Sequence, residues 1–134
     1  MDCIFCKIIS GELPSAKVFE DDNVIAFLNI KPISKGHTLV VPKAHVKDLA
    51  SADYETLCHL MNAVKKIAPA VMAAVDAEGF NLGGNNGAAA GQEVFHLHLH
   101  LIPRHSDDGL PRWPHRENTV EERGALAEKI RAAV

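Results

Sequence analysis

Apolar residues recur at intervals of three and four positions through the middle of the chain, a spacing typical of one face of an α-helix. Ser51 or Asp53 can cap the start of this helix, and the acidic Asp53 and Glu55 suit the positive end of its dipole. Pro69 should kink the helix, and Gly79 can close its end. The apolar positions are Leu57, Leu60, Met61, Val64, Ile67, Ala68, Val71, Met72 and Val75. The pattern therefore predicts one long helix.

A second helix is predicted near the carboxyl terminus. Thr119 and Glu122 have the spacing of a capping box. The segment before it, residues 104–117, is rich in proline, charge and histidine, which indicates an ordered loop or lid. The apolar stripe of this second helix consists of Leu126, Ala127, Ile130 and Val134.

Five short segments have the composition of β-strands, and they cover residues 17–20, 23–28, 37–41, 80–82 and 94–102. The residues from Glu20 to Asn23 are typical of a hairpin turn between the first two strands. Gly36 precedes the third strand, and Pro42 ends it. Because helices do not alternate with the strands, the pattern favours an α+β fold. It would contain an antiparallel five-stranded sheet, one long helix and a C-terminal helix.

The last of these strands carries histidine at alternate positions. His96, His98 and His100 are two residues apart, so on an extended strand they share one face, and the intervening leucines point toward a core. Imidazole binds metals and can act as a nucleophile or a base near neutral pH. A solvated strand face normally carries Lys, Glu, Thr or Ser instead. The pattern therefore indicates a functional site rather than a polar face that is rich in histidine by chance.

Composition narrows the class of protein. The 134 residues suit one domain, and 47% hydrophobic with 23% charged residues is typical of a soluble globular protein. The net charge of −3 and the absence of clustered basic residues argue against a nucleic-acid partner. No run of about 18 apolar residues suggests a membrane span. The first residues lack the pattern of a signal peptide, so we expect a cytoplasmic protein without a membrane partner.

The motif Cys3-Ile4-Phe5-Cys6 leaves three interpretations open. The two thiols can be unrelated side chains on a short amphipathic helix. They can form a redox pair, although such pairs normally follow a strand in a βαβ unit, and no strand precedes this one. They can also be half of a tetrahedral zinc site, for which histidines would supply the other two ligands. An odd total of three cysteines argues against a disulfide framework.

Two further blocks, Gly36-His37-Thr38-Leu39-Val40-Val41-Pro42-Lys43 and Gly91-Gln92-Glu93-Val94-Phe95-His96, occur in the same order as in a known family. Together with the histidine strand they closely resemble the histidine triad (HIT) family of nucleotide hydrolases and transferases. The resemblance implies a single domain over residues 1–134, with a core at about 3–104 and an extension at 105–134. It also implies a homodimer. Family members act at the α-phosphate of nucleotides such as purine nucleoside phosphoramidates or dinucleoside polyphosphates.

The same resemblance assigns catalytic roles by position. His98 is the implied nucleophile, which would form a nucleotidyl-histidine intermediate that water resolves. His100 resembles the residue that contacts the phosphate and the leaving group, and His37 resembles a histidine that buttresses the triad. His96 completes the catalytic set. No organic cofactor is implied.

A nucleotide site for an AMP derivative is implied as well. The base pocket would be formed by Phe5, Ile8, Phe27 and Ile30, and the phosphate would meet Asn85, Gly91, Gln92, His98 and His100. Asn29 stands where many members have an aspartate that binds the ribose. Glu93 replaces a serine or threonine of some members. If Glu93 faced the site it would favour cationic leaving groups, but strand alternation places it on the face opposite the histidines unless the backbone is irregular near Gly91.

The resemblance favours the zinc interpretation of the CxxC motif, with Cys3, Cys6, His45 and His96 as ligands of a structural Zn²⁺. Two other functions remain open. One is a nucleotide-binding or scaffold protein with weak catalysis. The other is a metallohydrolase with zinc on the three strand histidines, although side chains at i, i+2 and i+4 of one strand converge poorly on one ion.

Overall fold

A computed structural model describes residues 2–134. The elements in chain order are α1 (Ile4–Ile9), β1 (Lys17–Glu20), β2 (Val24–Leu28), β3 (Thr38–Pro42), α2 (Tyr54–Ala74), β4 (Gly79–Gly83), a 3₁₀ turn (Ala88–Ala90), β5 (Leu99–Arg104) and α3 (Val120–Ala133). The five strands form one sheet in the order β1-β2-β3-β5-β4, and every neighbouring pair is antiparallel. The predicted α+β architecture is therefore confirmed.

Local side-chain caps explain where several elements begin. The Asp53 side chain caps α2 by accepting from the Thr56 N–H at 2.8 Å. The predicted capping box of α3 is present, because the side chains of Thr119 and Glu122 each accept from the other residue's backbone N–H. At the hairpin turn, Asp21 Oδ1 accepts from the N–H of Val24 at 2.7 Å. These short polar side chains satisfy N–H groups that have no partner inside their own element.

The end of α2 differs from the prediction. The helix stops at Ala74, and Gly79 begins β4 instead of closing the helix. Asp76, with a φ of 53°, takes the left-handed conformation there. An aspartate side chain tolerates this conformation better than most, so the chain can turn without a glycine.

The histidine strand begins later than its sequence pattern predicts. Extended pairing covers only Leu99–Arg104, whereas the prediction started at residue 94. Two features of Pro42 end the ladder: it has no N–H, and its carbonyl accepts from the His96 ring at 2.8 Å. The Leu97 N–H donates instead to the carbonyl of Val46 at 2.7 Å. Tertiary partners therefore replace sheet pairing over residues 94–98.

The sheet is covered on both faces, because alternate residues of β2 and β3 enter two different clusters. The cluster under α2 contains Val24, Ala26, Val40, Leu60, Ala63, Val64, Ile67, Ala68, Val71, Leu97 and Leu101. The cluster under α1 contains Phe5, Ile25, Phe27, Leu39 and Val41. Because α1 has only six residues, it covers one part of its face and leaves a cavity beside it.

The carboxyl-terminal part lies outside both clusters. No residue of α3 is buried. Within residues 2–134, no helix is both long enough and apolar enough to cross a membrane.

Candidate active site and metal centre

A cavity of about 710 Å³ opens on the α1 face of the sheet. Its floor comes from the first helix and from β2 and β3, and its rim comes from the loop at 85–94. Of the predicted site residues, those lining it are Phe5, Ile8, Phe27, Asn29, Ile30, His37, Asn85, Gly91, His98 and His100. Residues that are far apart in the sequence therefore meet at one apolar cleft with imidazoles at one end.

A hydrogen bond to the backbone fixes the tautomer of His98. Its Nδ1 lies 2.7 Å from the carbonyl oxygen of His96, which can only accept, so Nδ1 carries the proton. Burial lowers the pKa of His98 below its usual value, which keeps the ring neutral at pH 7. The Nε2 lone pair is therefore available to an electrophile in the cavity.

His100 and His37 form a chain whose tautomers are fixed by the backbone. The Ile33 N–H donates to His37 Nδ1 at 3.0 Å, so a neutral His37 carries its proton on Nε2. That Nε2 lies 2.9 Å from His100 Nδ1 and donates to it. The proton of His100 is therefore on Nε2, a buried atom without a partner among the described residues. An unpaired buried donor is costly, so this N–H indicates a place for a ligand acceptor.

His37 is uncharged in this series of hydrogen bonds. It is 2% exposed, and burial, with a smaller contribution from His100, lowers its pKa to about 4. A neutral ring can accept from Ile33 and donate to His100 at the same time, whereas an imidazolium would have no acceptor nitrogen. The low pKa of His37 therefore preserves the donor on His100 at neutral pH.

Phe5 connects the apolar part of the cavity to the histidines. Its ring lies edge-on to His98 and Phe27, with centroid separations of 5.0 and 5.6 Å. Ile30 also lines the cleft and is 89% exposed. At Asn29, Oδ1 already accepts from the Lys31 N–H at 2.9 Å, which leaves the amide NH₂ for a ligand. Phe5 and Phe27 therefore belong to the core cluster under α1 and also line the cleft.

Gln92 does not line the cavity, unlike the other residues predicted to meet a phosphate. Its Nε2 donates to the carbonyls of Lys47 and Val94, and its Oε1 accepts from the Gly87 N–H. Both amide hydrogens are used in these bonds, so the side chain braces the loop. A contact between Gln92 and a phosphate stays a prediction.

Glu93 lines the cavity, contrary to the expectation from strand alternation. Gly91 takes a left-handed φ of 88°, and the chain after it is not extended until Leu99. The alternation rule applies only to extended chain, so it failed for this residue. The irregular backbone after this glycine therefore brings Glu93 to the cleft.

A second cluster of side chains lies behind the histidine segment. The sulfur and Nδ1 atoms of Cys3, Cys6, His45 and His96 all lie within 4.8 Å of one another. Cys3 Sγ is 3.4 Å and Cys6 Sγ is 3.6 Å from His96 Nδ1, and the two histidine Nδ1 atoms are 3.1 Å apart. A tetrahedron with Zn–S near 2.3 Å and Zn–N near 2.0 Å places its ligand atoms about 3.3–3.8 Å apart. These residues could therefore hold a metal ion.

The protonation of His96 also suits a metal ligand. Its Nε2 donates to the carbonyl of Pro42, so Nδ1 keeps its lone pair and points at the two sulfurs. Of the three strand histidines, only His96 belongs to this cluster. The arrangement is unfavourable to the alternative in which all three bind one ion.

Two of the groups that fix these tautomers could not be found from the sequence. The carbonyl of Pro42 and the N–H of Ile33 are backbone atoms, so no side-chain type marks them. Of these residues, only Pro42 was marked by the sequence, as the residue that ends the third strand.

The sequence of this chain is similar to those of known proteins. Residues 10–107 match the family described as the HIT domain. Adenosine 5'-monophosphoramidase of Schizosaccharomyces pombe is 39% identical over 136 residues, which cover 100% of this chain and 99% of that protein.

Two solved structures extend the similarity to three dimensions. A member of the HIT family from Bacillus subtilis has a TM-score of 0.92 at 40% identity, covering 100% of this chain and 98% of the other. A zinc-bound histidine triad family protein from Mycobacterium smegmatis has a TM-score of 0.79 at 40% identity, covering 98% of each.

Proposed function

Because this chain belongs to the histidine triad (HIT) family, we propose that it is a nucleotide hydrolase or nucleotidyl transferase. Its substrates would be purine nucleoside phosphoramidates or dinucleoside polyphosphates, attacked at the α-phosphate. The observation that carries this proposal is the free Nε2 of a neutral His98 in the cleft, with Nδ1 held by a carbonyl at 2.7 Å. The phosphoramidase activity named for the Schizosaccharomyces pombe relative supports the same chemistry.

The first step of the proposed reaction is a displacement at phosphorus. The His98 Nε2 lone pair forms a P–N bond, and the bond to the leaving group breaks with its electron pair on the departing atom. The imidazole becomes positively charged, and the carbonyl of His96 stabilises it through the Nδ1–H. Water then attacks phosphorus and loses a proton, which balances the proton that the departed amine takes up. The P–N bond breaks with its electron pair on Nε2, so the nucleoside monophosphate is released and neutral His98 is restored.

The remaining residues would bind and orient the nucleotide. The His100 Nε2–H is a donor for a phosphate oxygen, held in that tautomer through His37. The Gly91 loop lets the backbone approach the phosphate closely. Phe5 and Phe27 supply apolar surface for a base, and the Asn29 amide can donate to a ribose hydroxyl.

We also propose that Cys3, Cys6, His45 and His96 hold a structural Zn²⁺. Two thiolates and two imidazoles are ligands that zinc prefers, and the spacing of the four donor atoms fits a closed tetrahedron. When bound, the ion joins α1 to the segment before β5 and so fixes the backbone around His96. The carbonyl of His96 orients the His98 ring, so zinc would help to position His98 and would take no part in the reaction itself.

Turnover of adenosine 5'-phosphoramidate tests the proposed function. We expect release of AMP with stoichiometric ammonia, because the amine is the smallest leaving group that this chemistry can take. AMP is measured by chromatography, and nucleotide binding is measured separately by calorimetry. Binding without AMP release would contradict the proposal and favour the binding or scaffold alternative.

We further propose that the protein works as a homodimer in the cytoplasm. The edge strand β4 exposes Phe80 and Leu82, and α3 exposes Leu126 and Ile130. Unpaired strand edges and apolar helix faces favour association with another copy. A reducing compartment also keeps zinc-binding thiols reduced.

Sedimentation at micromolar concentration tests the dimer. The expected species has twice the 14.5 kDa mass of one chain. A variant with both Phe80→Lys and Leu82→Lys should shift toward the monomer, because charges on an edge strand oppose pairing. A monomeric wild-type protein at that concentration would contradict this proposal.

A further inference from the structure

The connection between β3 and α2 links the metal cluster to the rim of the cleft. It contains His45, an exposed member of that cluster, and the four residues that follow, 46–49, form neither helix nor strand. We call residues 46–49 the connecting segment and residues 85–94 the rim loop, since Asn85 and Gly91 line the cleft. Because no regular element orders the connecting segment, its position depends on the residues that it contacts.

Two side chains of the rim loop bond to the backbone of the connecting segment. Gln92 Nε2 donates to the carbonyl of Lys47 at 2.8 Å. Asn86 Oδ1 accepts from the Leu49 N–H, also at 2.8 Å. Both bonds end on main-chain atoms, so a movement of the connecting segment also moves the partners that hold the rim loop.

Gln92 passes these contacts on to the rest of the rim loop. Its side chain is buried, its Oε1 accepts from the Gly87 N–H at 2.8 Å, and its Nε2 also donates to the carbonyl of Val94 at 3.1 Å. Gly87 and Gly91 have φ values of 91° and 88°, and glycine restricts its own backbone very little. The conformation of the rim loop therefore depends strongly on the hydrogen bonds of Gln92.

We propose that Gln92 and Asn86 are positioning residues that couple the metal cluster to the rim loop, so that binding of zinc and binding of a nucleotide phosphate strengthen each other. This inference rests on the proposed function, because it takes the phosphate to bind beside Gly91. A metal ligand role for His45 would fix the start of the connecting segment, and the two side chains would extend that order to the loop. Linkage requires each ligand to raise the affinity of the other by the same factor.

This coupling is separate from the effect of zinc on the nucleophile. That effect runs from His96 through its carbonyl to His98, and neither Gln92 nor Asn86 takes part in it. Variants of the two positioning residues therefore remove one connection and leave the other in place.

Calorimetry of AMP binding to zinc-loaded and to metal-free protein tests the coupling, with circular dichroism to confirm that the metal-free protein is folded. We expect the zinc-loaded form to bind AMP about tenfold more tightly, since coupled sites typically differ by about 5–150-fold. Adenosine, which has no phosphate, should bind the two forms within about twofold of each other. Zinc affinity, measured by competition with a chelating dye, should rise by the same factor when AMP is added.

Substitutions of the two side chains test their role through this ratio of AMP affinities. Gln92→Ala and Asn86→Ala should each reduce the ratio to about threefold or less. Asn86→Asp keeps an acceptor for the Leu49 N–H, so it should retain the wild-type ratio even where its charge weakens AMP binding to both forms. Because Asn86 is exposed, its variants carry the test if replacement of the buried Gln92 prevents folding.

Asn62→Ala is the matched control. Asn62 is an exposed amide on α2, which packs on the other face of the sheet, and it does not line the cleft. Its variant should keep the wild-type ratio.

The outcomes separate the coupling from the proposed function. A wild-type ratio near one, an equal ratio for adenosine, or a ratio that persists in Asn86→Ala would overturn the coupling, while AMP release from the phosphoramidate still supports the hydrolase. Protein that binds no zinc would overturn the coupling together with the metal proposal. Failure of AMP to bind either form would overturn it together with the proposed function. A ratio that is lost in Asn86→Ala and kept in Asn86→Asp supports the coupling.

Discussion

Replacing His98 with alanine should lower turnover of adenosine 5'-phosphoramidate by about a thousandfold or more. A covalent route has no substitute for its nucleophile, so the loss should appear in kcat and not only in KM. The neighbouring imidazoles cannot replace it. His96 Nε2 donates to the Pro42 carbonyl and its Nδ1 faces the cysteines, whereas the tautomer of His100 presents a proton instead of a lone pair.

Steady-state kinetics on the folded variant measures this effect, with circular dichroism to confirm the fold. His59→Ala is the matched control, because His59 belongs to α2, which packs on the other face of the sheet, and does not line the cleft. A stricter measurement quenches the wild-type reaction and locates labelled nucleotide on the chain. Near-normal turnover by the His98 variant, or label on another residue, would contradict the proposed mechanism.

Loss of the metal should be the second large effect. Cys3→Ser and Cys6→Ser should each abolish the binding of one zinc per chain, because a hydroxyl is a poor replacement for a thiolate. Binding only to the folded state stabilises a protein by mass action, by about 2.7 kcal/mol when free ligand is 100-fold above Kd. Unfolding of these variants should therefore move to a lower temperature. Turnover should fall less than in His98→Ala.

Metal analysis of protein purified under reducing, chelator-free conditions measures occupancy, and thermal unfolding measures stability. Cys58→Ser provides a control for removal of a thiol as such, because Cys58 is exposed on α2 and lies outside the metal cluster. A chelator should lower the unfolding temperature of the wild type and of the control alike, and leave the Cys3 variant unchanged. Wild-type protein without zinc, or a Cys3 variant that keeps it, would contradict the metal proposal.

The sequence by itself determined the elements whose signals are local. The three-and-four spacing from Leu57 to Val75 predicted α2, and the capping box at Thr119 predicted the start of α3. The five strands followed from short apolar segments joined by turns, and their antiparallel pairing followed from the lack of alternating helices, whereas the strand order came from the structure. Such patterns need only neighbouring residues, because side-chain direction repeats every 3.6 residues in a helix and every two in a strand. The candidate nucleophile was equally visible, as the middle of three alternating histidines.

The tertiary structure decided what each side chain meets. It moved the start of the last strand to Leu99, made Gln92 a brace for the loop and placed Glu93 at the edge of the histidine cleft as a lining residue. It also fixed the tautomers through backbone atoms of Ile33, Pro42 and His96. These outcomes depend on hydrogen-bond partners and surfaces supplied from distant parts of the chain. A pattern of residue types marks which side chains are available, whereas folding alone determines which atoms remain unpaired and which space stays empty.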